Sequence, residues 1–289
     1  MPAARTEPNC LIQSDFAVKQ SEPALPKLNN KEKIMSDTLL QQLDDDGVLL
    51  LTLNRPRKKN AFNNEQWLAF RDALTTANTD PSVACVVITG AGSDFSSGVD
   101  LNNFADADGE HPFESSAKAL VDFDKPVVSA ARGVAVGGGA TLLLHTDVVY
   151  VGSSLRLRFP FTALGLVPEW GSSYQLQAII GARKAAELMY TSEWINADKA
   201  VEVGIATACF DDDQLLEKAM AKAREIAHWS ISSLVETKKL MRNVHRAAIH
   251  SAMGGEAEGM SRLAGTPENI EGVVAIMEKR PADFKQFRK

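Results

Sequence analysis

Three consecutive glycines, Gly137 to Gly139, stand directly before an apolar segment, Ala140 to His145, that is typical of a helix. Glycine has no Cβ, so the backbone here can approach a ligand closely. The first N–H groups of a helix have no partner within the helix and lie at the positive end of its dipole. This arrangement suits a phosphate or a developing oxyanion. Taken alone, the glycines are explained equally well by a flexible turn or by close helix packing.

A second turn of small residues, Asp94 to Leu101 (DFSSGVDL), follows the apolar run Cys85 to Thr89. The β-branched composition of that run predicts a buried strand. A turn placed after the strand, with its single glycine Gly98, is a suitable position for another outward-pointing backbone N–H. Two such donors from separate turns would form an oxyanion hole.

One carboxylate, Glu169, interrupts an otherwise apolar passage and is followed by Trp170 and Gly171. Apolar surroundings would disfavour its charged form, which would raise its pKa and make it a stronger base. A purely structural role stays open, because Pro168 and an acidic residue both favour the start of a helix.

The composition excludes several classes of protein. The chain has 289 residues, 45% hydrophobic and 24% charged, which is typical of a soluble α/β domain with an appendage. A formal net charge of −6 argues against a nucleic-acid partner. No segment approaches the roughly 20 apolar residues of a membrane span. The cysteines Cys10, Cys85 and Cys209 show no metal-binding spacing and fit a reducing compartment, so a cytoplasmic protein without metal is expected.

The sequence divides into three parts. Residues 1–34 are polar and aperiodic, which predicts a disordered leader whose removal leaves folding intact. Residues 35–210 alternate strand and helix patterns, which indicates βαβ units and a mainly parallel sheet. Residues 211–289 are predicted to be helical, and the polar segment 102–119 is a candidate for a mobile flap. Strands are predicted at 48–53, 83–89, 125–130 and 148–151, and helices at 63–77, 182–189, 197–203, 215–229, 231–253 and 261–277.

Three motifs, FSSGVDL, KPVVSAARGVAVGGG and LGLVPEWGSS, in this order and spacing, resemble those of the crotonase, or enoyl-CoA hydratase/isomerase, superfamily. The resemblance runs from about residue 37 to about residue 210 and is looser beyond. It implies an α/β fold, a crotonase-like spiral of ββα units with a C-terminal helical region. It also implies an acyl-CoA substrate, no cofactor besides the CoA thioester, and a homotrimer or hexamer. In a eukaryotic cell the location would be mitochondrial or peroxisomal.

The same resemblance assigns the residues that bind the substrate. The thioester carbonyl would be held by the backbone N–H groups of Val99 and Gly138. The turn that meets the adenine and pantetheine of CoA matches Ser97, Gly98, Asp100 and Leu101. The basic turn from Arg57 to Asn60 would lie beside the CoA phosphates, although a run of charges is more often simply solvated.

The carboxylates distinguish the reactions of the superfamily. Hydratases use two glutamates, and the matching residues here are Thr141 and Phe161. Hydration needs one group to activate water and another to protonate carbon, so efficient hydration is not expected. Glu169 matches the single catalytic glutamate of Δ3,Δ2-enoyl-CoA isomerases, with Trp170 beside it to keep the site dry. The resemblance therefore implies the conversion of a 3-enoyl-CoA to a 2-enoyl-CoA.

Two alternatives stay open: another crotonase-fold reaction with the same base, such as hydration or isomerisation of a ring-derived acyl-CoA, and a non-catalytic acyl-CoA-binding subunit. The other polar residues carry weaker predictions. His145 is predicted to be a cationic helix-end residue and not a base, and Asp147 resembles a structural residue of the superfamily. His111 lies in the candidate flap, from which it could reach the pocket, although nothing in the sequence requires this. Three roles stay open for Ser172 and Ser173: to line the acyl tunnel, to hydrogen-bond Glu169, or to satisfy the start of a helix.

Overall fold

The structure is a computed structural model that describes residues 36–100 and 112–288. The predicted leader at 1–34, Leu101 and His111 lie outside the described residues. The strands are β1 Leu39–Leu43, β2 Val48–Leu53, β3 Cys85–Gly90, β4 Val127–Ala131, β5 Val134–Val136, β6 Val148–Gly152, β7 Arg156–Arg158, β8 Ile195–Asn196 and β9 Ala208–Phe210. The α-helices are α1 Asn64–Thr79, α2 Pro112–Val121, α3 Gly138–Leu143, α4 Ser172–Ile180, α5 Ala182–Thr191, α6 Ala197–Val203, α7 Leu215–Ala227, α8 Ile231–Leu263 and α9 Pro267–Met277.

A six-stranded sheet in the order β1-β2-β3-β4-β6-β9 forms the framework. The outer strand β1 pairs antiparallel with β2, and the other neighbours are parallel. Side chains of β3 alternate between two cores: Val86 and Ile88 pack on the side of α1, and Cys85 and Val87 pack on the side of α7. Burial on both faces explains why this strand is apolar from Cys85 to Ile88 instead of alternating with polar residues.

A smaller sheet, β5-β7-β8, carries the glycine-rich turn. Its first strand also bridges to Ser96, since Ser96 N donates to Val134 O at 2.9 Å and Val136 N donates to Ser96 O at 3.0 Å. This bridge joins the turn after β3 to the strand directly before the glycines. The two turns predicted to supply N–H donors are therefore brought side by side by backbone pairing.

The predicted fold class is confirmed: the sheet is mostly parallel, strands alternate with helices, and the C-terminal region is helical. Trp67, Phe70 and Leu74 are fully buried on one face of α1, as their spacing predicts. The helix α6 ends at Gly204, whose φ of 90° is a left-handed cap. The division of the chain at residue 210 stays a prediction.

The longest helix is continuous, and the prediction of two separate helices in this region is wrong. The helix α8 is continuous from Ile231 to Leu263, whereas the sequence predicted an end at Met253 and a new helix from 261. The pair Gly254–Gly255 does weaken a helix. The helix continues because residues on both sides of that pair, Ile249 and Glu256, are buried against the core.

Residues 102–111 of the predicted flap lie outside the described residues, and the rest of it belongs to α2, with Ala117 and Leu120 buried. The short strands β5, β7, β8 and β9 were not predicted, because two or three residues are too few for a periodic pattern. None of the described helices is long and apolar enough to cross a membrane.

Candidate active site

The turn after β3 and the glycine run before α3 are in van der Waals contact. A Cβ added at Gly98 would lie 2.6 Å from Val136 O and 3.1 Å from Gly138 N, so a larger residue does not fit. The φ of Gly98 is 88°, a left-handed conformation that independently favours glycine. The two glycine turns, which are separate in the sequence, therefore pack directly against each other in the structure.

Two backbone N–H groups at this contact, those of Val99 and Gly138, have no acceptor within the described part of the chain. Phe62 pairs with the neighbours of Val99: Phe62 N donates to Gly98 O at 2.8 Å, and Asp100 N donates to Phe62 O at 2.9 Å. The N–H of Val99, lying between these bonds, is therefore directed away from Phe62. Gly138 is the first residue of α3, where an N–H has no partner within the helix.

The carboxylate of Glu169 lies beside the start of α3. A Cβ built on Gly138 would be 3.3 Å from Glu169 Oε1, so the carboxylate can reach a group bound at the Gly138 N–H. Burial and the negative charge of Glu256 raise the pKa of Glu169 to about 7. The side chain keeps some accessible surface because it faces a cavity, while the surrounding protein excludes most of its water.

The turn that carries Glu169 contains two successive left-handed residues, Trp170 with a φ of 60° and Gly171 with a φ of 71°. This conformation costs a tryptophan on the order of 1 kcal/mol or more. Two hydrogen bonds hold Trp170: the His145 Nε2–H donates to Trp170 O at 2.6 Å, and the Trp170 Nε1–H donates to Ala117 O at 3.0 Å. The strained conformation is thus maintained by elements outside the turn.

A second carboxylate, Glu256 from α8, caps the helix that follows. Its Oε2 accepts from Gly171 N at 2.6 Å and its Oε1 accepts from Ser173 N at 2.8 Å. Ser172 donates to Glu169 O from both its N–H, at 3.0 Å, and its Oγ, at 2.6 Å. Ser172 therefore hydrogen-bonds Glu169 through the Glu169 carbonyl, and neither serine side chain caps α4. The helix cap is supplied by Glu256 and not by the side chain of Glu169.

A cavity of about 610 Å³ opens onto Glu169, a volume typical of small-molecule sites. Much of its described lining is apolar and includes Val99, Phe113, Trp170, Met253 and Met260. Trp170 is only 2% exposed, and its indole packs against the ring of Phe113 at a centroid distance of 5.6 Å. The lining of this cavity therefore combines the Glu169 carboxylate, Val99, whose N–H has no acceptor among the described residues, and an apolar wall.

The turn predicted to bind the CoA portion makes internal contacts. Ser97 N donates to Lys59 O at 2.9 Å, and Ser97 Oγ donates to Lys58 O at 3.4 Å, which ties this turn to the exposed basic turn. Asp100 Oδ2 accepts from Arg55 Nη2 at 2.9 Å, and Asp100 is 7% exposed. The Asp100 carboxylate is thus engaged in a buried ion pair, and contact of this turn with CoA stays a prediction.

His145 lies just beyond the end of α3, as predicted, but it is not a cation. Burial and the nearby guanidinium of Arg242 lower the pKa of His145 to about 3. The prediction failed because complete burial removes the water that would solvate an imidazolium, a cost that outweighs the helix dipole. Asp147 pairs with the buried Nζ of Lys238 at 2.8 Å, in agreement with a structural role.

The residues matched to the two hydratase glutamates contain no acid. Thr141 and Phe161 are buried, with exposed fractions of 0% and 4%. Thr141 Oγ1 donates to Gly137 O at 3.2 Å and to Gly138 O at 3.3 Å. Neither side chain ionises near neutral pH, so neither can act as the acid or base of a hydration.

Sequence reasoning missed Glu256 and His250, both on α8 and both facing the cavity. Glu256 is 85 residues beyond Gly171, whose N–H it accepts. Sequence reasoning found no local pattern that marks such a long-range cap, and the helix carrying it was predicted to end before it. His250 Nε2 lies 3.2 Å from Asp122 Oδ1 and contributes a titratable group at the cavity.

Comparison with known proteins places the chain in a family. The family model described as Enoyl-CoA hydratase/isomerase matches residues 44–288. The 2,3-dehydroadipyl-CoA hydratase of Escherichia coli (strain K12) is 34% identical over 242 residues, which cover 82% of this chain and 95% of that protein. The 1,2-epoxyphenylacetyl-CoA isomerase of the same strain is 32% identical over 251 residues, covering 83% and 95%. The enoyl-CoA delta isomerase 2 of Rattus norvegicus is 30% identical over 246 residues, covering 82% of this chain and 63% of that protein.

The fold agrees with this assignment. The crystal structure of an enoyl-CoA hydratase/isomerase from Pseudoalteromonas atlantica T6c superimposes with a TM-score of 0.82 at 35% identity, covering 86% of this chain and 99% of that one. The family match spans all strands of the main sheet except β1, both glycine turns, Glu169 and the C-terminal helices, so the resemblance carried by the three motifs is confirmed. The chain is therefore an enzyme of the enoyl-CoA hydratase/isomerase, or crotonase, superfamily.

Proposed function

We propose that this enzyme is a Δ3,Δ2-enoyl-CoA isomerase. The observation that carries the proposal is the carboxylate of Glu169 beside Gly138, together with the absence of an acid at Thr141 and Phe161, the two positions that match the hydratase glutamates. Isomerisation needs one base that becomes the acid after the first proton transfer, whereas hydration needs two groups.

In the proposed reaction the carboxylate of Glu169 removes a proton from C2 of the acyl chain. The electron pair of that C–H bond delocalises toward the thioester carbonyl and gives a dienolate, whose oxygen would be held by the N–H groups of Val99 and Gly138. Protonated Glu169 then returns the proton to C4. The C3–C4 double bond is lost as the C2–C3 double bond forms, and no cofactor besides the CoA thioester is needed.

The electrostatics of Glu169 support this dual role. A pKa of about 7 keeps the group basic enough to take a proton and acidic enough to return it near neutral pH. The aromatic rings of Trp67, Phe113 and Trp170, which are in edge-to-face contact, exclude water on one side of the site. Exclusion of water also protects the dienolate from protonation by solvent.

A ring-derived acyl-CoA is the second candidate substrate. Similarity to a 1,2-epoxyphenylacetyl-CoA isomerase favours it, and a cavity of about 610 Å³ has room for a ring. Hydration is disfavoured by Thr141 and Phe161, despite the similarity to a 2,3-dehydroadipyl-CoA hydratase. A non-catalytic acyl-CoA-binding subunit would use the two N–H groups and leave Glu169 without a chemical role.

A substrate panel separates these functions. The purified enzyme is incubated with straight-chain 3-enoyl-CoA and 2-enoyl-CoA thioesters and with ring-bearing acyl-CoA, and products are followed by absorbance and mass. Conversion of 3-enoyl-CoA, with deuterium exchange at C2, is the expected result. Hydration of crotonyl-CoA on the order of 10 per second, a typical enzyme rate, would overturn the proposal. Binding of acyl-CoA without any turnover or exchange would indicate the non-catalytic alternative.

We also propose that the enzyme assembles as a homotrimer or hexamer, in the cytoplasm or, in a eukaryote, in mitochondria or peroxisomes. Leu240, Met241 and Val244 on α8 are 72%, 71% and 75% exposed, and Met277 on α9 is 73% exposed. Leu240, Met241 and Val244 lie within five residues of one helix, and exposed apolar side chains that share a surface are typical of protein–protein contacts. Light scattering coupled to size exclusion measures the subunit number, and a monomer would contradict the proposal.

A further inference from the structure

The helix α8 places a second carboxylate next to the turn that carries Glu169. Glu256 is 7% exposed, and each of its oxygens accepts one backbone N–H, from Gly171 at 2.6 Å and from Ser173 at 2.8 Å. It comes from an element far away in sequence, and no side chain of the turn itself caps α4. The close fit of α8 on this turn depends on Gly171, where a Cβ would lie 3.0 Å from Ile249 Cγ2.

Hydrogen bonding determines which of the two carboxylates keeps its charge. Burial raises the pKa of Glu256 above its ordinary value, and the hydrogen bonds from Gly171 and Ser173 oppose that rise because they favour the anion. Its negative charge also lies at the positive end of the α4 dipole. Glu169 has no comparable donor in the described residues, and its oxygen faces the cavity. Burial disfavours the charge of both carboxylates, and these contacts favour the anion at Glu256 over the anion at Glu169.

We propose that Glu256 is a positioning residue for Glu169: it fixes the strained turn through Gly171 and Ser173 and keeps a negative charge beside the proposed base, which strengthens that base. This inference deepens the isomerase proposal and rests on it. The charge of Glu256 is the second cause, after burial, of the raised pKa of Glu169. A like charge nearby disfavours ionisation, so the base binds its proton more tightly.

Other charged groups face the same cavity. Glu114 and Lys118 come from α2, and His250 comes from α8 with Glu256. Lys118 and His250 both contact the carboxylate of Asp122. Burial and Glu256 are the causes that raise the pKa of Glu169, so Glu256 is the group to substitute.

The experiment compares two variants at position 256, one that changes only the charge and one that changes only the length of the side chain. Glu256→Gln keeps the shape and removes the charge, whereas Glu256→Asp keeps the charge and shortens the reach. The matched control is Glu258→Gln on the same helix, because Glu258 is 78% exposed and pairs only with Arg262 at 3.8 Å among the described residues. The rate of 3-enoyl-CoA isomerisation is measured across pH for all four proteins.

Removing a neighbouring negative charge lowers the pKa of the base, so the acid limb of kcat/KM should move to lower pH in Glu256→Gln. The plateau should fall about 3- to 10-fold because a weaker base transfers protons less well. Glu256→Asp should keep the acid limb near its wild-type position, and Glu258→Gln should match the wild type. An acid limb that stays in place in Glu256→Gln overturns the inference, whatever happens to the plateau.

A titration of the ligand-free enzyme makes the test independent of catalysis. Carbon-13 NMR of labelled glutamate carboxyls identifies Glu169 as the resonance absent from Glu169→Gln. Its midpoint should lie near pH 7 in the wild type and move lower in Glu256→Gln. If 3-enoyl-CoA is not turned over but this midpoint moves, the isomerase proposal fails and the coupling stands. If the midpoint does not move, the coupling fails.

Discussion

The two halves of the site are held in place in different ways. The Val99–Gly138 half is fixed by backbone pairing, through the bridges of Ser96 with β5 and of Phe62 with the turn after β3. The Glu169 half is fixed by side chains, because His145 and Glu256 hold a turn in which Trp170 is left-handed. One half therefore depends on glycine and sheet register, and the other depends on contacts between distant elements.

This difference matches the chemistry proposed for each half. Backbone N–H groups do not titrate, so donors built into paired strands are ready at any pH and need no reorganisation. A base must change its protonation state, and its pKa is tuned by burial and by a neighbouring charge. Side chains from several elements can supply such tuning. We expect added volume to damage the first half, and changed charge to damage the second.

The largest effect is expected from Glu169→Gln. The amide keeps the size of the side chain but cannot accept the proton, so turnover of 3-enoyl-CoA should fall roughly 10²- to 10⁴-fold. Binding of acyl-CoA should change little, because the proposed thioester contacts are backbone groups elsewhere. Stopped-flow kinetics and calorimetric binding measure the two effects separately. Glu258→Gln, which removes an exposed carboxylate, is the control. Retention of most of the rate by a folded Glu169→Gln protein would rule out Glu169 as the base.

The Val99–Gly138 half of the site is tested by substitutions that add side-chain volume at two adjacent glycines. The Cβ in Gly138→Val would meet Glu169 Oε1 at 3.3 Å and occupy the space in front of the N–H, so turnover should fall about 10²- to 10³-fold with the fold retained. A Cβ at Gly139 would instead overlap the backbone of Ser96. Gly139→Ala should therefore cost about 1–3 kcal/mol of stability. Denaturation midpoints and turnover are measured together, and near-normal turnover of Gly138→Val would mean that the thioester binds elsewhere.

The Glu169 half of the site is tested by the pH dependence of activity and stability. The wild-type kcat/KM should rise with pH and reach half its plateau near pH 7, as Glu169 loses its proton. The pKa of Glu169 in the folded protein, about 7, is above the ordinary carboxyl value. The contribution of Glu169 to the stability of the wild type is therefore lost as pH rises from about 4.5 to 7. Glu169→Gln does not show this pH-dependent loss, because the amide does not ionise. The free energy of unfolding of Glu169→Gln minus that of the wild type should therefore increase by an amount on the order of 1–3 kcal/mol between pH 4.5 and pH 8. Urea denaturation at both pH values checks this, and a constant difference would contradict the raised pKa.

The same contrast explains what the sequence could predict. The parallel sheet and the two donor turns follow from apolar runs and glycines within a few residues of one another, such as Gly98 after β3 and the run ending at Gly139. Glu169 could be found because a carboxylate in an apolar passage is unusual.

The supports of Glu169 could not be found in this way. Glu256 caps a helix 85 residues away in sequence, and it lies beyond Gly254–Gly255, where local propensity favours a break. The charge of His145 was mispredicted for a similar reason, since its burial depends on Trp170 and on α8 packing over it. Local patterns predict backbone-built parts of a site, and they do not encode long-range side-chain contacts.

The smallest effect concerns the basic turn, which is joined to the first half through Ser97. Lys58 is exposed, and its carbonyl, not its side chain, accepts from Ser97 Oγ, so Lys58→Gln leaves that backbone contact in place. If this turn lies beside the CoA phosphates, the variant loses an exposed ion pair of about 0.2–1 kcal/mol. KM for acyl-CoA should then rise about 2- to 5-fold with kcat unchanged, and the difference should shrink in 0.5 M salt because of screening. Lys199→Gln removes one positive charge from a lysine paired with Glu202 at 2.8 Å and should leave KM unchanged. Equal KM values for the wild type and Lys58→Gln at low salt would show that the Lys58 side chain is simply solvated.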